Sequence, residues 1–199
     1  MRARLVLLAA LAVLGVAACG GSDDDGPSAE PTATTTTTAT TNGIDTLAGA
    51  ATTPQTGEPG GEGTALLERV SIGRHEGFDR VVFRFRDHVP GYRVQYVEPP
   101  LKEDGSGAPV EIEGGSPLLV RLEPASGFDL ETGEGELVYD GPRRIDGADA
   151  GASVVREVVR TGDFEAVLSW AVGLDQPVDF RVLTTLDDPP RLVVDLRNH

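Results

Sequence analysis

The stretch that decides the fold is Gly77-Phe78-Asp79-Arg80-Val81-Val82-Phe83-Arg84-Phe85. Within it, Val81, Phe83 and Phe85 fall on one side of an extended chain, while Val82 and Arg84 fall on the other. A period of two in β-branched and aromatic residues is typical of a half-buried β-strand. Turn-forming residues precede the stretch at 75–77 and follow it at 87–91, so we expect it to be the second arm of a β-hairpin.

The same alternation recurs along the chain and predicts further strands near residues 70–72, 92–96, 110–112, 118–122, 137–139, 164–172, 178–182 and 192–196. Residues 154–160 are ambiguous. Their apolar positions fit a helical stripe, but four valines favour a strand, which we prefer. The predicted fold class is therefore all-β.

The two halves of this region resemble each other. Residues 78–83 match 164–169, residues 92–96 match 180–184, and each half then reaches a Pro-Pro pair. Each half would form a short meander with one apolar face that it cannot bury alone. We therefore expect a small β-sandwich of two similar antiparallel sheets, an internal pseudo-repeat. Its predicted core contains Phe83, Phe85, Leu168 and Trp170.

The N-terminus has the features of a secretory signal over residues 1–18. Arg2 and Arg4 precede an apolar run that is too short to cross a bilayer. The run ends in Val16-Ala17-Ala18-Cys19-Gly20, which resembles the lipobox of bacterial lipoproteins. That resemblance implies cleavage before Cys19, lipidation of its sulfur, and an extracytoplasmic protein anchored to the outer face of the cytoplasmic membrane. The alternative is an ordinary cleaved signal with an incidental cysteine.

Composition divides the rest of the chain into a linker and a domain. Residues 19–63 are rich in Thr, Pro, Gly and Asp and contain no aromatic residue. Such a segment cannot bury enough apolar surface to offset the entropy of ordering, so we predict a disordered linker. Residues 64–199 hold the alternating strands and form the predicted domain.

The charge of the chain limits its partners. The formal net charge is −15 at pH 7, and residues 64–199 contain 25 acidic and 15 basic residues. An acidic surface of this kind repels phosphate backbones, which argues against nucleic acid as a partner. With one cysteine, the chain forms no internal disulfide.

Two motifs point to a known family: Gly77-Phe78-Asp79-Arg80-Val81-Val82-Phe83 near the start of the domain, and Asp188-Pro189-Pro190-Arg191-Leu192-Val193-Val194-Asp195-Leu196 at its end. Over residues 68–198 the domain resembles the AMIN-like domain of actinobacterial lipoproteins, which is related to the AMIN domains of peptidoglycan amidases and secretins. The resemblance implies a β-sandwich and a non-catalytic role in the envelope, by binding peptidoglycan in the amidases. The motif residues that it singles out are Phe78, Asp79, Arg80, Pro190, Arg191 and Asp195.

Patterns that indicate catalysis are weak. The three histidines form no ligand pair, and Gly105-Ser106-Gly107 lacks the frame of a nucleophilic serine. A Gly-containing acidic loop (Asp129, Glu131, Glu134, Glu136) offers oxygen ligands to Ca²⁺, but its spacing does not match an EF-hand. We therefore expect no catalytic residue, no metal site and no cofactor.

Outward residues of the predicted sheets are the remaining candidates for binding. Arg84, Arg86 and Arg93, with Tyr92 or Tyr96 near the edge, could share one polar face for sugars and carboxylates. Alternatively, these arginines only pair with acidic residues across strands. The predicted function is a lipid-anchored, non-catalytic envelope protein that contacts peptidoglycan or a wall-associated partner. The alternative is a protein-protein interaction module that docks an envelope partner by pairing with an edge strand.

Overall fold

A computed structural model describes residues 47–131 and 135–198. It confirms the all-β fold, and no helix in these ranges is long and apolar enough to cross a membrane. The strands, in chain order, are β1 (Gln55–Gly57), β2 (Ala65–His75), β3 (Phe78–Phe85), β4 (Gly91–Tyr96), β5 (Leu101–Lys102), β6 (Pro109–Val110), β7 (Leu118–Glu123), β8 (Ala125–Ser126), β9 (Phe128–Asp129), β10 (Glu136–Leu137), β11 (Arg144–Asp146), β12 (Val155–Phe164), β13 (Val167–Leu174), β14 (Phe180–Thr185) and β15 (Arg191–Arg197).

Two main sheets pack face to face. The first sheet has the order β14-β15-β3-β2-β8, and the second has the order β1-β4-β7-β13-β12-β11. Neighbouring strands are antiparallel except for β2 and β8, which are parallel. Two short pairs, β5 with β6 and β9 with β10, lie outside these sheets. As predicted, β3 is the second arm of a hairpin, with β2 as the first.

The pseudo-repeat is present, but the two halves exchange strands. The hairpin β2–β3 of the first half joins β15 and β14 of the second half, and the hairpin β12–β13 of the second half joins β7 and β4 of the first. The expectation that each half forms its own meander is therefore wrong. Each sheet instead takes a hairpin from one half and two further strands from the other, so neither half completes a sheet alone.

The predicted core is confirmed. Phe83, Phe85, Leu168 and Trp170 are all fully buried. The Trp170 ring makes edge contacts with two other rings, at centroid distances of 6.1 Å to Phe83 and 5.4 Å to Tyr139. Fully burying one such side chain contributes about 1.5–3 kcal/mol, so this cluster across the two layers is a principal source of stability.

Residues 154–160 form a strand, as preferred, within β12. The strand predicted at 164–172 is wrong at its start, because the chain reverses at Glu165 and Ala166 before β13 begins. Phe164 is consequently about half exposed rather than in the core. Both turn residues have positive φ, 51° and 60°, which is the region that favours Asn and Gly. Without those residue types, the sequence carries no signal for the turn.

The folded part begins earlier than the predicted boundary at residue 64. Leu47 is fully buried, Ala51 pairs with Phe180, and β1 pairs with β4. The Gln55 side chain caps the edge of β14, donating to the Phe180 carbonyl at 2.7 Å and accepting from the Val182 amide at 2.9 Å. Residues 47–63 are thus part of the domain. The predicted signal peptide, Cys19 and the rest of the predicted linker lie outside the described residues.

The left-handed turn gives a stability prediction. Ala166 carries a Cβ in the left-handed region, which costs about 1–2 kcal/mol, whereas glycine costs about 0.5–1 kcal/mol in unfolded-state entropy. We expect Ala166→Gly to raise the free energy of unfolding by up to about 1 kcal/mol, measured by urea denaturation. Ala148→Gly, at an exposed alanine without positive φ, is the control and should not stabilise. A loss of stability in Ala166→Gly would contradict the prediction.

Candidate binding face

The outer face of the first sheet is the more open of the two outer faces. Across the second sheet runs the segment 103–113, since the Asp104 amide bonds to the Thr161 carbonyl at 3.1 Å. A Cβ added at Gly173 would lie 2.1 Å from the Glu113 carbonyl oxygen, so only glycine admits this close approach. Ser169, on the outer side of β13, is consequently buried. No comparable segment crosses β15, β3 and β2 among the described residues. Most of their outer side chains are therefore at least partly exposed, although Val193 and Asp195 on β15 are buried between their neighbours.

A buried carboxylate lies at the centre of one end of this face. Asp195 on β15 is opposite Arg80 on β3 and Arg181 on β14. Its Oδ1 accepts from Arg80 Nε at 2.6 Å, and its Oδ2 accepts from Arg80 Nη2 at 3.0 Å and from Arg181 Nε and Nη2 at 3.1 and 3.0 Å. The hydrogen bond to Asp195 raises the pKa of the Arg80 guanidinium. One carboxylate therefore holds two guanidinium groups in fixed positions.

An aromatic ring lies beside these two arginines. The Cζ atoms of Arg80 and Arg181 are 5.1 and 6.0 Å from the centroid of the Phe78 ring. The His75 ring stacks on Phe78 with a centroid distance of 4.8 Å. Cation–π attraction adds to the ion pairs and leaves a rigid, mixed aromatic and cationic corner at this end of the face.

A row of three arginines crosses the other end of the face. Arg84 on β3 is opposite both Arg69 on β2 and Arg191 on β15. Arg84 Nε lies 3.2 Å from Glu68, whereas Arg69 and Arg191 are exposed and have no ion pair within 47–131 or 135–198. Like charges directly opposite each other are destabilising, and neighbouring strands are only about 4.8 Å apart. The fold therefore tolerates a cationic row here in which only the central arginine has an acidic partner.

Between the two basic ends, the face is mainly apolar. Leu183, Val193 and Val82 are opposite one another across β14, β15 and β3, followed by Ser71 on β2. Leu183 is substantially exposed. This surface, formed by the Arg80–Asp195–Arg181 group with Phe78, the apolar row and the Arg69–Arg84–Arg191 row, is called the basic face below.

Asp79, the neighbour of Arg80, points to the inner side and connects the two sheets. Its buried Oδ2 accepts from the amides of Ser153, Val154 and Val155 at 2.7, 2.7 and 3.2 Å. Its Oδ1 accepts from Asn198 Nδ2 at 2.9 Å. Asp79 thus ties β3 to the chain that enters β12, a structural role that leaves it unavailable to a ligand.

The comparison with known proteins assigns the family. The model of the AMIN-like domain matches residues 65–198, which include both motifs and the whole basic face. The chain belongs to the AMIN-like domain family. No curated protein and no solved structure matches it. Membership indicates a peptidoglycan-related or envelope-binding module, and domains of this kind are binding modules rather than catalytic ones.

The AMIN-like motif residues divide between the face and its support. Phe78, Arg80, Arg191 and Asp195 all lie on the outer side of the first sheet, whereas Asp79 lies on the inner side. The Pro190 carbonyl accepts from the Phe85 amide at 3.0 Å, which extends the pairing of β15 with β3 beyond Arg191. The two sequence motifs are thus brought together because β3 and β15 are neighbours.

The five residues predicted from the sequence to share a face do not share one. Arg84 belongs to the basic face of the AMIN-like domain, but Tyr92, Arg93 and Tyr96 are on β4, in the second sheet. Both tyrosines pack against the core, and the Tyr96 hydroxyl exchanges hydrogen bonds with the Val178 backbone at 2.8 and 2.9 Å. The expectation failed because β3 and β4, although adjacent in sequence, enter different sheets.

The two other predicted arginines are engaged elsewhere. Arg93 donates to Gln95 at 2.7 Å on the second sheet. Arg86 follows β3 and lies 3.9, 3.6 and 3.4 Å from Glu68, Asp129 and Glu136. The alternative was that these arginines only pair with acidic residues across strands. Arg86 does contact acidic residues, whereas Arg93 bonds to a neutral amide on its own strand. Asp129 and Glu136, two members of the acidic loop considered for Ca²⁺, thus lie against a guanidinium. No cluster suited to a metal ion occurs among the described residues.

Sequence reasoning missed Arg69 and Arg181 as members of the face. Arg69 alternates correctly with Val70 and Ile72, and Arg181 alternates with Phe180 and Val182, so their outward orientation was readable. What could not be read was the order of strands in the sheet, since only that order makes Arg69 a neighbour of Arg84 and Arg181 a neighbour of Asp195.

The central carboxylate yields a second prediction. Asp195→Asn removes the negative charge between two guanidinium groups whose side chains are only 30% and 20% exposed. We expect the free energy of unfolding to fall by about 2–3 kcal/mol, because the two cations then repel each other without a partner. Asp175→Asn, which breaks the exposed pair with Arg156, is the control and should cost much less, because solvent screens that pair. Equal losses in urea denaturation would show that Asp195 carries no special role.

Proposed function

We propose that this protein binds peptidoglycan through the basic face and is held at the outer surface of the cytoplasmic membrane by a lipid on Cys19. The domain then works as a non-catalytic envelope module, with the linker between lipid and domain setting how far it reaches. The preferred ligand groups are the carboxylates of the stem peptides, with the glycan strand lying along the apolar row.

The observation that carries this proposal is the row of Arg69, Arg84 and Arg191. Three cations occupy neighbouring positions on a domain with a large excess of acidic residues. Such a row costs stability through repulsion, and the two outer arginines lack acidic partners in the described part of the chain. A ligand with carboxylates relieves that repulsion and forms charge-assisted, bidentate hydrogen bonds with guanidinium groups.

The rest of the face supports the same ligand. Leu183 and Val82, on either side of the buried Val193, provide apolar surface of the kind that contacts the nonpolar side of a sugar ring, and Phe78 adds an aromatic edge. The Arg80–Asp195–Arg181 group keeps two more donors in place without free rotation. Family membership points in the same direction, toward a peptidoglycan-related or envelope-binding module.

The alternative, docking of a partner by strand addition, is less favoured by the edges of the sheets. The second sheet ends in β1 and β11, which have three residues each. In the first sheet, β8 pairs only with Ala65 and Leu66, so the edge of β2 beyond Leu66 has no paired strand in the described part of the chain. At its other end, the β14 edge is already occupied by Ala51 and the Gln55 side chain. Strand addition needs a long row of free backbone groups, and among the described strands only β2 beyond Leu66 offers one.

Retention on purified sacculi tests the proposed ligand. We expect the full chain to sediment with sacculi at low salt and to be released as salt increases, since the contacts are ionic. The Arg69→Gln/Arg191→Gln variant should lose most of this retention. Its matched control is Arg93→Gln/Arg121→Gln, a pair of opposite arginines on the second sheet, which should bind like the unmodified protein.

Two outcomes would contradict the proposal. Absence of retention at low salt would remove peptidoglycan as the ligand, and equal loss in the two double variants would show only nonspecific attraction to cations. All four substituted arginines are exposed, so circular dichroism should show unchanged folding.

Membrane attachment is tested at Cys19. If this sulfur is acylated, cells fed radiolabelled palmitate should label the protein, and Cys19→Ser should abolish the label and release the protein from the membrane fraction. Binding of the Cys19→Ser protein to sacculi should be unchanged, because the basic face does not involve the N-terminus. Labelling that persists in Cys19→Ser would rule out this anchor.

A further inference from the structure

A second surface of the domain has the opposite charge and is concentrated in a cleft. The cleft has a volume of about 890 Å³ and lies where the chain before β2, the end of β3, the β8–β9 segment and the β12–β13 turn meet. This volume is within the range of about 300–1,000 Å³ that is usual for binding sites. No residue of the basic face lines it. The cleft is therefore a separate candidate site.

Exposed apolar side chains are gathered at this cleft. Among the described residues, the large hydrophobic side chains that remain exposed are Phe128, Leu130, Leu137, Phe164, Leu183 and Leu186. Phe128, Leu130 and Phe164 line the cleft, and Leu137 pairs with Phe128 on the neighbouring strand. Leu130 is 77% exposed. A patch of this kind, surrounded by polar residues, marks a surface that contacts a partner.

The rim of the cleft is acidic. Glu62, Asp87, Glu131 and Glu165 line it, and none of the four has an ion pair within the described ranges. The one arginine of the cleft, Arg86, is already surrounded by Glu68, Asp129 and Glu136. The cleft therefore presents uncompensated negative charge around an apolar floor, which repels anionic polymers and favours a cationic occupant.

The walls of the cleft are held in place by backbone contacts. The β12–β13 turn is fastened to β8, because the Ala125 amide donates to the Ala166 carbonyl at 2.8 Å. Asp163, just before the turn, accepts from the Ser126 hydroxyl and the Gly127 amide, both at 2.9 Å. A partner thus meets a largely preformed surface, which lowers the entropic cost of binding.

We infer that this cleft binds a protein segment in which bulky apolar side chains stand beside lysine or arginine. The apolar side chains pack on Phe128, Leu130 and Phe164, and the cationic groups reach the rim carboxylates at Glu62, Asp87, Glu131 and Glu165. This site is independent of the basic face. With both surfaces, the domain can hold a wall polymer and a basic partner protein at the same time.

Fluorescence anisotropy with defined peptides tests the inference on the full chain. The probe is a short fluorescent peptide that alternates lysine with leucine or phenylalanine. One control peptide replaces every lysine with glutamate, and the other replaces every apolar residue with serine. We expect the probe peptide to bind saturably and the two control peptides not to bind. Added salt should weaken binding of the probe peptide.

Two leucines of nearly equal exposure provide matched variants. Leu130 in the cleft and Leu186 outside it are 77% and 79% exposed, so neither substitution should affect folding. Leu130→Ser should raise the dissociation constant of the probe peptide about tenfold, the ratio expected when one leucine is no longer buried in the complex. Leu186→Ser should bind like the unmodified protein. Glu131→Gln/Glu165→Gln should weaken binding of the probe peptide and make that binding less dependent on salt.

The inference is overturned if no probe binds, if the glutamate or the serine peptide binds as tightly, or if Leu130→Ser and Leu186→Ser behave alike. Sedimentation velocity of the protein alone tests whether a second copy of the chain fills the cleft. A concentration-dependent dimer that disappears in Leu130→Ser would show that a second copy of the chain fills the cleft, and would also overturn the inference. Retention on sacculi by the basic-face residues is measured separately and does not depend on these results.

Discussion

The pairing of β3 with β15 is the contact on which the structure depends. It joins strands from the two ends of the domain, and the hydrogen-bonded Arg80 and Asp195 are 115 positions apart in the sequence. Closing so large a loop is costly and makes this contact slow to form. Once formed, its register determines which side chains are neighbours on the outer face. A shift by one residue would turn Asp195 inward and expose Val194 and Leu196.

The two sheets have the same strand pattern but have diverged in chemistry. In the first, Asp195 lies between Arg181 and Arg80. At the equivalent place in the second, Arg121 lies between Arg93 and Ser169. The second sheet is also covered by the segment 103–113, which accounts for the buried Ser169. One framework thus supports two outer faces of different character, an open one on the first sheet and a partly covered one on the second.

Local sequence patterns predicted a good part of this fold. Alternation located the main strands and the core, because burial imposes a period of two that holds whatever the partner strand. The family motifs identified Phe78, Arg80 and Asp195 as residues of interest, and all three lie on the outer side of the first sheet. The predicted match of residues 92–96 with 180–184 is correct. Val94 on β4 is opposite Val120, and Val182 on β14 is opposite Val194, so the two valines occupy equivalent places in the two sheets.

The failures have physical causes. The turn at Glu165 and Ala166 uses residues that disfavour positive φ, so the matched segments around β3 and β13 were aligned out of register. The buried Leu47 and the capping Gln55 lie in a polar stretch. The composition of that stretch predicted disorder, so the domain boundary was placed too late. The prediction that Arg84 and Arg93 share a face is wrong because alternation shows which side of a strand a residue occupies, but not which sheet the strand joins. The acidic cleft was not anticipated for the same reason, since its walls come from separate parts of the chain.

The exchange of strands between the halves gives the domain an approximate two-fold arrangement. Each half supplies a hairpin and two further strands, and each sheet takes a contribution from both halves. Two identical copies of a half-length chain could make the same pairings around a two-fold axis. In a single chain, however, the two halves need not be self-complementary, so one sheet can carry Asp195 where the other has Arg121.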